Sequence, residues 1–189
     1  MFEVYSLVLF AHVVGAVALV GHSLGSPITR AALREVDTIG DVRRIVAFER
    51  RVSRWNPAIA LVLLGSGLYL GSAGWWTQGW FYLSVAGWVV NAFLAGRVVA
   101  PWADALMSAA AAAGEGRVPA GVDALRRSRR LAVAAQVMLA NDIALLFIMM
   151  NKPSLLASAG VFAVVDAALV ALVFVPSRAA SPVLTEARS

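Results

Sequence analysis

The stretch VMLANDIALLFIMMNKP, residues 137–153, decides how this chain is read. It is apolar almost throughout, yet Asn141 and Asp142 stand side by side in its middle. An aspartate at the centre of a membrane helix costs about 2.5–3.5 kcal/mol on insertion scales, and lipid offers it no partner. The segment therefore implies a bundle of membrane helices, with polar groups on neighbouring helices turned toward Asp142.

Composition agrees with a membrane bundle. Of the 189 residues, 60% are hydrophobic and 14% charged, and the mean hydropathy is +0.78. A soluble domain of this length needs more polar surface to cover its core. The lack of cysteine excludes disulfides, thiolate metal sites and iron–sulfur clusters held by this chain. The net charge of +5 comes mainly from arginines in loops between apolar runs, a positive-inside pattern, so no nucleic-acid partner is inferred. Met1 to Ser6 carries Glu3 and no basic residue, and the apolar run that follows is full length, so no signal peptide is expected.

The pattern predicts an all-α polytopic bundle of five spans, at residues 4–24, 57–74, 79–100, 131–150 and 155–175. One domain, 1–176, would hold the bundle with helical loops at 25–56 and 101–130, leaving a tail at 177–189. The first loop carries Arg30, Arg34, Arg43, Arg44, Arg50, Arg51 and Arg54, and the second carries Arg117, Arg126, Arg127, Arg129 and Arg130. The two opposite connections hold only Lys152. Both long loops are thus expected on the cytoplasmic side of the cell membrane, with the N-terminus outside and the C-terminus inside. Ser26 and Pro27 read as the cap and first position of a new helix. Val42, Ile45, Val46 and Val52 lie roughly on one face, which predicts a helical extension or an interfacial helix on anionic lipid headgroups. PWADALMSAAAAA reads as a short helix, ended by GEGRVPAG, the stretch expected to be most flexible.

Counting about 1.5 Å per residue from the outer surface puts His12 and Asp142 roughly 12 Å down, Asp166 roughly 16 Å and Asn91 roughly 18 Å. Asn141 and Gln136 fall in the same band or slightly deeper. Groups at one depth are best satisfied by facing one another or a watered cavity, with Asp142 and Asp166 ionisable, His12 as ligand or relay, and Asn91 and Asn141 orienting them. The bland alternative is structural, with His12 bonded to a backbone carbonyl or Asn91 and both acids serving as neutral hydrogen-bonding groups. His22 and Arg97 fall at the inner boundary, where a helix-end cap and a snorkelling side chain explain them. Gly15, the Gly67-xxx-Gly71 pair and the Ala92-xxx-Gly96 pair indicate close helix packing.

Several chemistries fit this set. Both histidines lie on the first span, about 15 Å apart, so one chain cannot supply bis-histidine haem ligation. His12 with Met138, or two His12 across a dimer, would serve a haem. His12, Asp142 and Asp166 would suit copper or a divalent ion, although no ligand-spacing motif accompanies them. A proton relay needs only facing His and Asp groups. Five helices without an internal repeat fit a homo-oligomer or a subunit better than a complete carrier. No hydrolase, P-loop, Rossmann or zincin motif is present, so no enzymatic activity is read. The leading expectation is a small membrane protein whose buried cluster binds or conducts a cation, proton or cofactor. The alternative is a structural or accessory subunit of a larger membrane complex, and the third reading is a haem-binding redox protein.

LFAHVVGAV (9–17), GSGLYL (65–70) and LLFIMMNKP (145–153) together resemble a bacterial family of small predicted integral membrane proteins of unknown function. The likeness covers the first four spans and implies a bacterial inner-membrane location. The opening is also similar to copper-resistance proteins of the CopD type and, more distantly, to HemJ-type protoporphyrinogen oxidases. That likeness implies copper or tetrapyrrole binding through His12. AVALVGH (16–22) stands where it expects a tryptophan and a double glycine, and the third span has Arg97 but no lysine near its inner end, so oxidase activity is not carried over.

Overall fold

Pro27 does not open a helix; it lies inside one. In the computed structural model, which describes residues 3–174, helix α1 runs unbroken over Val4–Glu35 with Pro27 in its interior. A proline there removes one backbone hydrogen bond and costs about 3 kcal/mol. Tertiary contacts on both sides hold the helix together. Before the proline, Ser23 bonds Asp142; after it, Arg30 donates to the carbonyl of Ala132 and Leu33 is buried.

The remaining elements are α2 (Ile39–Ser53), α3 (Asn56–Gly71), α4 (Gly79–Leu94), α5 (Ala100–Ala112), α6 (Ala120–Arg126), α7 (Arg129–Asn151) and α8 (Leu155–Ala171). A π-helical turn, Ala95–Val99, joins α4 to α5, so these form one long rod. Pro101 has no N–H to donate, and the π turn just before it absorbs the change in hydrogen bonding. Among the described residues there is no strand, only an isolated antiparallel bridge between Thr38 and Arg117. The expected tail at 177–189 lies outside the described residues.

Among the described residues, four helices are long and apolar enough to cross a membrane: Val4–Glu35, Gly79–Ala112, Ala120–Asn151 and Leu155–Phe174. The second expected span forms α3, which has 16 residues and so measures about 24 Å. That is short of a hydrocarbon core of about 30 Å. Its last turn gives way to turns around Gly74, whose φ is +114°. The apolar run continued by sequence, but the chain had already begun to reverse.

Helix α7 is the axis of the bundle. Its buried side chains include Ala132, Ala134, Ala140 and Ala144, whose small size lets α1, α4 and α8 approach it closely. The outer helices turn large apolar side chains outward, among them Phe10, Val17, Leu61 and Leu156. At the turn before α8, Lys152 takes a left-handed conformation, its N–H caps the carbonyl of Ile148, and its ammonium sits 4.2 Å from the Trp75 ring.

The two long loops fold into a helical cap with its own core. Leu33 from α1, Ile39, Val42 and Val46 from α2, Leu106 and Ala110 from α5 and Val122 from α6 pack together. Burying a valine or leucine fully is worth about 1.5–3 kcal/mol, which is why these amphipathic stretches gather. Val52 stays exposed, so the apolar face of α2 is narrower than the sequence implied. Thr38 caps α2 by accepting the N–H of Asp41 at 3.2 Å. The GEGRVPAG stretch is pinned: Ile39 N–H donates to Gly116 O at 2.9 Å and Val118 N–H to Asp37 O at 3.0 Å. Helix α6, which apolar periodicity did not reveal, supplies Arg126. This arginine is 6% exposed, pairs with Asp123, and donates to the carbonyls of Leu33 and Val36, satisfying the end of α1.

Candidate functional site

Asp142 of α7 is held by side chains from two other helices. Its Oδ1 accepts from Asn91 Nδ2 of α4 at 2.8 Å, and its Oδ2 accepts from the hydroxyl of Ser23 on α1. Asn91 Nδ2 also reaches the Met138 carbonyl at 3.3 Å, while Asn91 Oδ1 accepts from Asn141 Nδ2 at 2.9 Å. Asn141 is 4% exposed, and its partner Asn91 is itself satisfied in turn. Buried polar groups without partners are expensive, and this network leaves neither carboxylate oxygen of Asp142 bare.

One residue from Ser23, His22 reaches out of the bundle. Its Nε2 lies 3.4 Å from Glu49 Oε1 on cap helix α2. His22 adjoins Ser23 in the chain, and it is the Ser23 hydroxyl that bonds Asp142. The Glu49–His22 contact and the Ser23–Asp142 bond thus follow one another along α1 from the cap into the bundle. Sequence reading included His22 only as a helix end and missed Ser23 and Glu49. Ser23 follows His12 by eleven residues, three helical turns, and that spacing was the available signal.

His12 belongs elsewhere. Its Nδ1 lies 3.1 Å from both the Leu63 carbonyl and Ser66 Oγ, and its ring edge rests on Gly67, all on α3. Ser66 Oγ lies 2.6 Å from the Val62 carbonyl, to which its hydroxyl donates. Nδ1–H is then the donor to Leu63, and Nε2 carries the lone pair. Eleven residues, about 16 Å of helix, separate His12 from Ser23. The structure therefore does not bring His12 to Asp142, Asp166 or Met138. Equal depth counted from the helix ends failed because α1 meets α7 through Ser23 and α3 through His12. Among the described residues no three His, Cys, Asp or Glu side chains are grouped to hold a metal ion. Nor does one chain pair His12 with Met138 for a haem, since Met138 lies on α7 beside Asn91.

Asp166 on α8 has a buried Oδ1 with no hydrogen-bond partner among the described residues. Gly79 faces Leu155 and Gly87 faces Phe162, offsets of 76 and 75 residues, and the same register sets Asp166 level with Asn91. Gln136 is half-buried on α7, and Arg97 is exposed on the π turn. Of the small-residue pairs, Gly67 and Gly71 are in contact, with His12 and Phe81, whereas Ala92 is exposed and Gly96 faces open space.

Fold and site together define a polytopic helical membrane protein with a carboxylate buried in a hydrogen-bonded network. Residues 6–153 match the family model described as Predicted integral membrane protein (DUF2269), and the chain belongs to that family. The match ends at Pro153, so α8 and Asp166 lie beyond it. No curated protein and no solved structure matches the chain.

Proposed function

We propose that this protein takes up and passes protons at Asp142, with His22 and Glu49 linking that carboxylate to the cap. The observation that carries the reading is the Glu49–His22 contact followed, one residue on, by the Ser23–Asp142 bond, which together cross from α2 through α1 to α7. Among the expected cargoes, a proton is the one that needs no assembled ligand shell, only titratable groups joined by hydrogen bonds or water. Ser23 and Asn91 would orient the carboxylate, and Asp166, level with Asn91, would be the next acceptor on the far side.

In this reading α3 completes five crossings by lying antiparallel to α1, the membrane thinning locally around it. The arginine-rich cap faces the cytoplasm of a bacterial cell, with the N-terminus outside. The test is proton flux into liposomes, followed with an internal pH dye at imposed potential. Wild type carries a flux, Asp142→Asn abolishes it, and His22→Gln slows it. If Asp142→Asn keeps the flux, or if wild type carries none while the variant only melts earlier, the network is a clasp. The accessory-subunit reading then takes its place.

A further inference from the structure

Independent of the Asp142 network, the outer face of α2 has a composition that neither water nor acyl chains explain. Its inner face is spent on the cap core through Ile39, Val42 and Val46. On other faces, Arg44, Phe48, Arg51 and Val52 follow at spacings of three and four, one stripe along the helix, and Trp55 stands in the turn just beyond its end. Phe48 is 64% exposed and Trp55 is 59% exposed. Beside the stripe runs a groove of about 340 Å³ between α1 and α2, lined by Ile28, Thr29, Ala32, Arg44, Ile45 and Phe48.

Water disfavours the exposed aromatic and aliphatic groups, and acyl chains disfavour the guanidinium groups. The headgroup boundary of a bilayer accommodates both. The stripe lies at such a boundary, because Trp55 is where α2 hands over to the apolar α3, and Arg54 stands 5.1 Å from its ring. Two neighbouring carboxylates are already engaged, Asp41 with Thr38 and Arg44, and Glu49 with His22. The Arg44–Asp41 pair is solvent-exposed, and such pairs are weak, so it does not withhold Arg44 from a stronger anion.

We infer that this face binds an anionic phospholipid of the adjoining leaflet. Arg44 and Arg51 meet the phosphate, and the groove floored by Ile28, Ile45 and Phe48 takes the first methylenes of an acyl chain. Positive charge matches the headgroup, and the face continues directly into the membrane-facing surface of α3.

The experiment is native mass spectrometry of the full chain in detergent, titrated with phosphatidylglycerol or phosphatidylcholine. Wild type should retain phosphatidylglycerol about ten-fold better. The R44Q/R51Q variant should bind it on the order of thirty-fold more weakly and lose the preference. R34Q/R117Q removes the same charge from exposed sites elsewhere on the cap and should leave binding unchanged. Phe48→Ala should weaken lipid retention, and inorganic phosphate should not displace the lipid. Equal retention of the two lipids by wild type overturns the proposal, as does equal loss in both arginine pairs. Displacement by inorganic phosphate also overturns it, by making the site a free-anion site. If R44Q/R51Q does not fold, the wild-type preference and the Phe48→Ala response decide alone.

Discussion

Asn91 on α4 gives its amide N–H to Asp142 at 2.8 Å and takes that of Asn141 at 2.9 Å, so one side chain serves both adjacent polar residues of α7. The two neighbours on α7 depend on the same group. Removing it leaves Asn141 Nδ2 and Asp142 Oδ1 without that partner, while Ser23 still holds Asp142 Oδ2.

Asn91→Ala should therefore destabilise the folded protein by about 1–2 kcal/mol, the range between membrane hydrogen bonds measured by mutant cycles and an unsatisfied buried group. A double-mutant cycle with Asp142→Ala, which removes the acceptor, read by unfolding in mixed detergent–SDS micelles, should give a coupling of roughly 1 kcal/mol. Additive effects would mean that the two side chains are not bonded.

Glycine substitutions should rank by the space each Cβ would enter. At Gly79 it would lie 2.6 Å from Leu155 Cβ and 3.2 Å from its Cα, so Gly79→Ala forces α8 away from α4. We expect a loss of about 2–3 kcal/mol there. Gly67→Ala meets only the His12 ring, at 3.0 Å, and should cost less, with most of the loss gone in a His12→Ala background. Gly160 faces open space, and Gly160→Ala should be neutral or stabilise by up to about 1 kcal/mol. Thermal melting in detergent gives the order.

Arg126 closes the end of α1 by donating to the Leu33 and Val36 carbonyls while almost fully buried. Arg126→Gln leaves those carbonyls and Asp123 short of a donor and should cost about 3 kcal/mol. Hydrogen exchange should quicken in α2, α5 and α6 but not in α8. Uniform quickening would show that cap and bundle unfold as one unit.

Asp123 ties α6 together from the outside. Hydrogen bonds from Arg126 and then Arg127 hold its carboxyl below the ordinary value near 3.8. A depressed carboxyl contributes stability that is present above the unfolded value and lost as pH falls through the folded one. The indole of Trp102, bonded to the Leu125 carbonyl at 2.8 Å, reports on α6. Its N–H resonance should hold steady from pH 7 to about 4 and move below that. In Asp123→Asn that acid transition should disappear; its persistence would assign it to another group.

The membrane character, the helical runs at residues 79–100 and 131–150, and the polar positions Asn91, Asn141 and Asp142 were all legible in the sequence. Each rests on local or compositional physics: apolar length, arginine placement, and the cost of a polar group in hydrocarbon. Helix ends were less legible. Pro27 and Gly74 show why, because contacts from Asp142, Ala132 and Arg126 carry α1 past a proline, while a turn ends α3 within an apolar run.

What only the tertiary structure decided is which polar residue meets which. Periodicity gives the face of a helix and its own rise, but not its register against a neighbour. That register comes from contacts between distant segments, such as Phe162 on Gly87, Leu155 on Gly79 and Leu63 on Gly15. It brought Ser23 rather than His12 to Asp142, set Asp166 level with Asn91, and folded two arginine-rich loops into a cap whose Glu49 meets His22. A shift of one helical turn, about 5.4 Å, would change every one of those partners, and no spacing within a single helix records it.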